Sequence, residues 1–270
     1  MKFDLPQNQN ALTIVQNMQE FYTAILEYYD ELFPLDEDVS KFFLGLQEKM
    51  KTDSVIQPPP VLRYLGVGCA TAKLEGRLIN SGMDITCIDS NHEMVETAKR
   101  RIQKGYSGVR LFEMSTIDMA RYLKKDSFHI ISCIDDTIEY IGNETLIRKF
   151  FYDARELLKP GGKLVIQTMN FDSFNTGQPF SLPSKGSIRV SFERGYTPLE
   201  NNMLQLDATL EMGNGKKIVL QKGTEIFPLT AEKAEMFAKE AGFTGCERYG
   251  SFAKDKWSPE SPMTVMVFSL

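Results

Sequence analysis

The chain has 270 residues, 42% of them hydrophobic, and 31 basic against 36 acidic side chains leave a formal net charge of −5. That length suits one well-covered core, and the acidic balance gives no sequence-wide basic footprint for nucleic acid. The first residues, MKFDLPQNQN, lack the apolar run of a signal peptide, no stretch approaches the ~20 apolar residues of a membrane span, and Cys69, Cys87, Cys133 and Cys246 form no CxxC pair. A cytoplasmic protein with reduced thiols, no metal site and no membrane or nucleic-acid partner is expected.

From Ala11 to about Lys51 apolar residues recur at three- and four-residue steps, with Leu12, Val15, Met18, Phe21, Tyr22, Ile25 and Leu26 on one stripe. Pro34 interrupts the pattern, and Asp36 to Asp38 offer cap chemistry for a second helix through Phe42, Phe43 and Leu46. Pro58, Pro59 and Pro60 then enforce extended backbone, so residues 1–57 are expected to form an N-terminal helical cap. After it strands and helices alternate: 61–67, helix 71–81, 85–89, helix 92–104, 109–114, a short helix 119–123, 128–134, helix 144–158, then 163–169. Successive βα units with apolar strands predict α/β architecture, a doubly wound, mostly parallel, seven-stranded Rossmann-like sheet covered on both faces. Its first part is the core at residues 58–170.

Residues 171–228 read differently, as alternating strands with turn signals. Gly213, Asn214 and Gly215 between two such strands are a hairpin signal. This antiparallel β insertion is expected to serve as a lid or a dimer interface, in a monomer or a homodimer. A helix from Thr230 to Gly242 and two strands, 246–252 and 264–270, then close the core over residues 229–270.

The segment LGVGCATAKL puts Gly66, Val67 and Gly68 between the first core strand and its helix, where missing Cβ atoms let a ligand approach the backbone. Its amide groups suit a carboxylate. Asp89 ends the next strand about twenty residues on, where an acid can accept hydrogen bonds from both hydroxyls of a ribose. Together these predict a nucleoside site. A phosphate loop is disfavoured because no GKS or GKT follows, and a nicotinamide-type glycine fingerprint would need a third glycine at Thr71.

LGVGCATAKL followed by CIDSNHEMVETAKRRI resembles the first two motifs of the class I S-adenosylmethionine-dependent methyltransferases. The resemblance runs through SCIDDTIEYI and LLKPGGKLVIQTMN and covers roughly Val61 to Asn170. It implies that S-adenosylmethionine is the cofactor. It also implies that Asp89 holds the ribose, that Ser90 and Met94 flank the adenine, and that Asp118 with Met119 meets the adenine edge, Asp118 doubling as a helix cap. Cys133 and Ile134 at the end of the fourth strand, and Tyr29 or Tyr28 of the N-terminal YYDELFP, are further cofactor contacts. Asp135, Asp136 and Tyr140 are the candidate catalytic residues, with Glu139 beside them; His92 and His129 read as structural. Cys133 and the Asn170-Phe171-Asp172 run resemble glycine and sarcosine N-methyltransferases, but Met169 stands where those enzymes have a basic residue. The chain departs from the family at Gly66, where an acid usually anchors the cofactor's ammonium, and at Ala70 and Ala72, where glycines are usual. The implied activity is methyl transfer to an N or O atom of a small, amine-bearing molecule. A catalytically silent, regulatory cofactor-binding relative and a nicotinamide-linked oxidoreductase are the alternatives.

Overall fold

In a computed structural model the described residues are 22–56, 58–103, 108–174, 177–215 and 217–270; Leu12, Val15, Met18 and Phe21 lie outside them. A short helix α1 (Tyr29–Leu32) leads to α2 (Glu37–Thr52), whose first turn is capped by the Asp36 carboxylate accepting from the Asp38 N–H at 2.9 Å. Four βα units and a fifth strand follow: β1 (Arg63–Val67), α3 (Lys73–Leu78), β2 (Asp84–Asp89), α4 (His92–Gln103), β3 (Val109–Glu113), α5 (Met119–Tyr122), β4 (Phe128–Cys133), α6 (Glu144–Leu157) and β5 (Leu158–Met169). The helix expected over 71–81 is the six-residue α3 continued by a 3-10 turn.

The seven-stranded sheet has the order β11-β12-β5-β4-β1-β2-β3, with β1 to β5 parallel, β12 (Met263–Ser269) antiparallel to β5, and β11 (Gly245–Tyr249) at the edge, antiparallel to β12. Its strands bury both faces. In β5, Leu164 and Ile166 pack against α6 and α7 (Ala231–Ala241), while Val165 between them packs against Phe42 and Phe43 of α2. Continuous apolar strands follow from that double cover. β5 begins five residues before the expected start, because Pro160-Gly161-Gly162 forms an irregularity inside the strand, with Gly161 at φ +76, rather than a turn before it.

The antiparallel sheet consists of β6 (Phe180–Ser181), β8 (Val190–Pro198), β9 (Leu204–Met212) and β10 (Lys217–Ile226), with β7 (Lys185–Gly186) paired to β8. The β9–β10 hairpin turns at the expected glycines, with Gly215 at φ +80. Along β8 the buried positions alternate as Val190, Phe192, Arg194 and Tyr196, and this face packs on Ile25, Tyr29 and Leu32. Thr230 caps α7 by accepting from the Lys233 N–H, and Gly242 at φ +99 ends it.

Phe151 of α6 stands at the middle of this core, edge-on to Phe150, Phe237 and Phe268 at centroid distances of 5.9, 6.1 and 5.6 Å. Phe151→Ala is expected to cost about 3–5 kcal/mol, read as a lower denaturation midpoint in urea with an unchanged slope.

Candidate functional site

Strand order reverses between β1 and β4, so their carboxyl ends face an open crevice at the topological switch point of the sheet. Four segments converge there: the loop after β1, the end of β2, the loop after β4, and the N-terminal segment beneath the antiparallel sheet.

The loop after β1 is wound left-handed. Gly68 has φ +71, and a Cβ there would strike the Thr137 side chain. Ala70 and Ala72 follow at φ +47 and +55, a conformation that costs alanine about 1–2 kcal/mol per residue. Asp89 offsets part of this strain. One carboxylate oxygen accepts from the Ala70 N–H at 2.8 Å and the other from the Asn91 N–H at 2.8 Å. Burial pushes the Asp89 acid upward, while these backbone N–H groups and that of Ser90 oppose the shift. Asn91 in turn accepts from Met94 N–H at 2.9 Å and starts α4.

The loop after β4 carries two consecutive non-glycine residues at positive φ, Asp135 (+56) and Asp136 (+61). Gln167 of β5 holds both: its Oε1 accepts from the Asp135 N–H at 2.7 Å, and its Nε2 donates to Asp136 at 3.0 Å. Strain of this kind persists only where the surroundings over-determine it. Asp135 opens onto the crevice yet lies deep among protein atoms, and burial followed by the neighbouring Asp136 lifts it to about 6. Arg194 reaches Asp136 from the antiparallel sheet at 3.5 Å.

The N-terminal segment is clamped over the crevice from both sides. Asp30 accepts from Thr71 at 2.9 Å and pairs with Arg101 and Lys73, and the Lys73 ammonium donates to the Phe33 carbonyl at 2.6 Å. Glu31 accepts from Ser187 and pairs with Arg189, and Phe33 meets Phe192 edge-on at 5.7 Å.

Two adjoining cavities result, of about 240 and 120 Å³. Tyr22, Tyr29, Gly68, Ala70, Asp135 and Tyr140 line both, so they meet over the glycine loop. The smaller is bounded by Asp89, Ser90 and Met94 on one side and Ser115, Thr116 and Ile117 on the other. The larger is bounded by Glu75, Val67, Ile134, Asp136, Gln167, Lys185 and Arg194. Burial, then the two carboxylates Asp135 and Asp89, lifts Glu75 to about 7. Burial and Arg194 depress the Lys185 ammonium, and burial keeps the Tyr140 hydroxyl protonated.

Most candidate residues therefore lie on one wall system, but not all. Asp118 and Met119 sit beside the cavity, which takes Ser115 to Ile117 instead; Met119 and Cys133 are fully buried in the core. Asp118 makes no side-chain cap bond. Gly66 lies beneath the wall rather than on it. Of the two adjacent tyrosines, Tyr29 faces the cavities while Tyr28 stacks beneath Arg189 at 5.3 Å. His129 accepts from the Arg63 N–H at 2.9 Å, and His92 pairs with Glu113, both outside the cavity walls. Asn170 is a fastener: its amide donates to the carbonyls of Ser258, Pro259 and Ser261.

Sequence reasoning missed Glu75, Gln167, Lys185 and Arg194. Two left a trace: Gln167 interrupts the apolar run KLVIQTM, and Arg194 falls on the inward phase of its strand. Glu75 and Lys185 left none.

This fold is that of the class I S-adenosylmethionine-dependent methyltransferases: a solved S-adenosylmethionine-dependent methyltransferase from Clostridium acetobutylicum superposes with a TM-score of 0.73 at 17% identity, over 92% of this chain and 98% of the other. An amino pentose methyltransferase from Micromonospora echinaspora, solved with S-adenosylmethionine bound, gives 0.63 at 17% identity over 90% and 96%. Residues 65–162 match the methyltransferase domain family. A putative methyltransferase of Geobacillus sp. (strain WCH70) is 27% identical over 214 residues, 71% of this chain and 84% of the relative. The ubiquinone biosynthesis O-methyltransferase of Xanthomonas axonopodis pv. citri (strain 306) is 30% identical over 113 residues, 42% of this chain; the chain spans 45% of that relative's length.

Two outcomes check this geometry. Because folding raises the Glu75 acid from 4.5 to about 7, folding favours its protonated form, and a penalty develops as pH rises through that window. Glu75→Gln removes it: the variant is expected to match the wild type at about pH 4 and to exceed it by on the order of 3 kcal/mol at about pH 8 in urea titrations. Gln167→Leu strips both fasteners from the loop after β4 and should cost about 1–3 kcal/mol, with faster amide exchange at Asp135 and Asp136 than in the wild type.

Proposed function

We propose that the protein transfers the methyl group of S-adenosylmethionine to a nitrogen or oxygen atom of a small metabolite, with an amine-bearing acceptor preferred. The observation that carries this is the pair of joined cavities at the switch point, one suited to a nucleoside and the other walled by carboxylates and aromatic rings.

The residues fit the cofactor. Asp89 has lone pairs left after its backbone bonds, which suit ribose hydroxyls, and Met94 with Ile117 offers an apolar slot for a flat base. Asp135 and Asp89 raise the proton affinity of Glu75 across the glycine loop, so a cationic ligand beside Glu75 would relieve that repulsion. Bound there, the sulfonium supplies an already activated methyl group, and the protein needs chiefly to align an acceptor with it.

Alignment falls to the larger cavity. Asp135 and Asp136 favour a cationic or amine-bearing acceptor, and Asp135, ionised above about pH 6, is placed to accept a proton from it. Tyr29 offers a ring face to positive charge. Phe33 and Phe192 meet edge-on in the cavity wall, and a pocket of this size suits a small metabolite better than a polymer. The four free cysteines agree with action in the reducing cytoplasm.

A catalytically silent binding protein is the second reading, favoured by the strained Ala70 and Ala72 in place of glycines. Calorimetry with S-adenosylmethionine, S-adenosylhomocysteine and NAD separates the cases. Binding of the first two at about micromolar Kd, weakened at least about tenfold in Asp89→Ala, supports the proposal; preference for NAD sinks it. A screen of amines for S-adenosylhomocysteine release then distinguishes enzyme from silent relative, and Asp135→Asn is expected to lower turnover about 100-fold.

A further inference from the structure

We propose that Glu75 of α3 is the anchor for the ammonium group of the cofactor's amino-acid portion, reaching over Gly66 into the larger cavity. This rests on the nucleoside reading of the smaller cavity. Three observations carry it.

The first is steric. Gly66 is in β1, flanked by the buried Leu65 and Val67, and an ideal Cβ on it would fall on the Glu75 carboxylate, 3.2 Å from Cδ and 3.3 Å from the Tyr64 ring. The absence of a side chain at 66 is what gives the Glu75 carboxylate its place. No side chain at 66 and a carboxylate at 75 are one arrangement, with the negative charge carried by the helix rather than the strand.

The second is chemical. Glu75 is only 3% exposed, and the groups acting on it are its own backbone N–H, Asp135 and Asp89. No lysine or arginine among the described residues pairs with it. A buried carboxylate flanked by two others is costly unless a cation completes the set.

The third is positional. Glu75 lines the larger cavity, which meets the nucleoside cavity at Gly68 and Ala70. A ligand with its ribose on Asp89 that continues across Gly68 brings its chain end to Glu75. Lys73, on the same wall, is already engaged by Asp30 and the Phe33 carbonyl.

The test compares S-adenosylhomocysteine with 5′-methylthioadenosine, which keeps the nucleoside and lacks the amino-acid portion. Glu75→Gln is expected to weaken the first by about tenfold or more and leave the second within about twofold, whereas Asp89→Ala weakens both. Thermal unfolding confirms that each variant is folded. The double variant Gly66→Asp with Glu75→Ala moves the charge back to the strand and is expected to recover S-adenosylhomocysteine binding relative to Glu75→Ala alone. Equal effects of Glu75→Gln on both ligands, or none on either, overturn the proposal, as does a loss seen only in Asp135→Asn, which would make Asp135 the anchor. If the wild type binds neither ligand, the nucleoside reading itself fails.

Discussion

The Asp89 carboxylate bonds two backbone N–H groups from different loops, Ala70 after β1 and Asn91 before α4. This bridge fixes the spacing between the first and second βα units and holds the left-handed loop in place. Without it, two alanines at positive φ would relax toward ordinary conformations at a gain of about 1–2 kcal/mol each, and the floor of both cavities would change shape. The same carboxylate is the group most suited to a ribose, so the element that builds the floor also presents the contact.

Around that floor the chain accumulates cost. Asp135 and Asp136 occupy positive φ, Glu75 is buried with no cation paired to it among the described residues, and the carboxylates of Glu75, Asp89, Asp135 and Asp136 share one crevice. Gln167 supports the backbone strain from β5, and Arg194 offsets part of the charge from the antiparallel sheet. An acidic junction remains where the two cavities meet, with Lys185 and Lys73 acting on Asp135 from the larger one. Local costs of this type gather where a fold is shaped for a ligand rather than for stability alone.

The roof is coupled to the floor through the N-terminal segment. Asp30 ties it to Thr71 and Arg101, Glu31 ties it to Ser187 and Arg189, and Tyr29 and Phe33 fill the space between. Movement of the antiparallel sheet would therefore be felt at the loop after β1. The exposed ion pairs that clamp the segment contribute no more than about 1 kcal/mol each, and the aromatic contacts add to them.

Period and punctuation made the architecture legible. Continuous apolar strands, proline and glycine boundaries, and the hairpin at Gly213 to Gly215 are local signals, and they specify the order and type of nearly every element because burial on both faces leaves few alternatives. Gly68 and Asp89 were legible because a glycine loop after one strand and an acid at the end of the next form a recognisable spacing. The antiparallel insertion could be drawn but not placed. Glu75, Gln167, Lys185 and Arg194 each act on residues 9 to 58 positions away, and one-dimensional patterning carries no record of such pairings. Only the folded chain decided that Gly66 is bare because Glu75 needs its volume, and that Tyr29 rather than Tyr28 meets the cavity. Those outcomes are set by packing in three dimensions, where a single Cβ or one helix turn determines which side chain occupies a shared space.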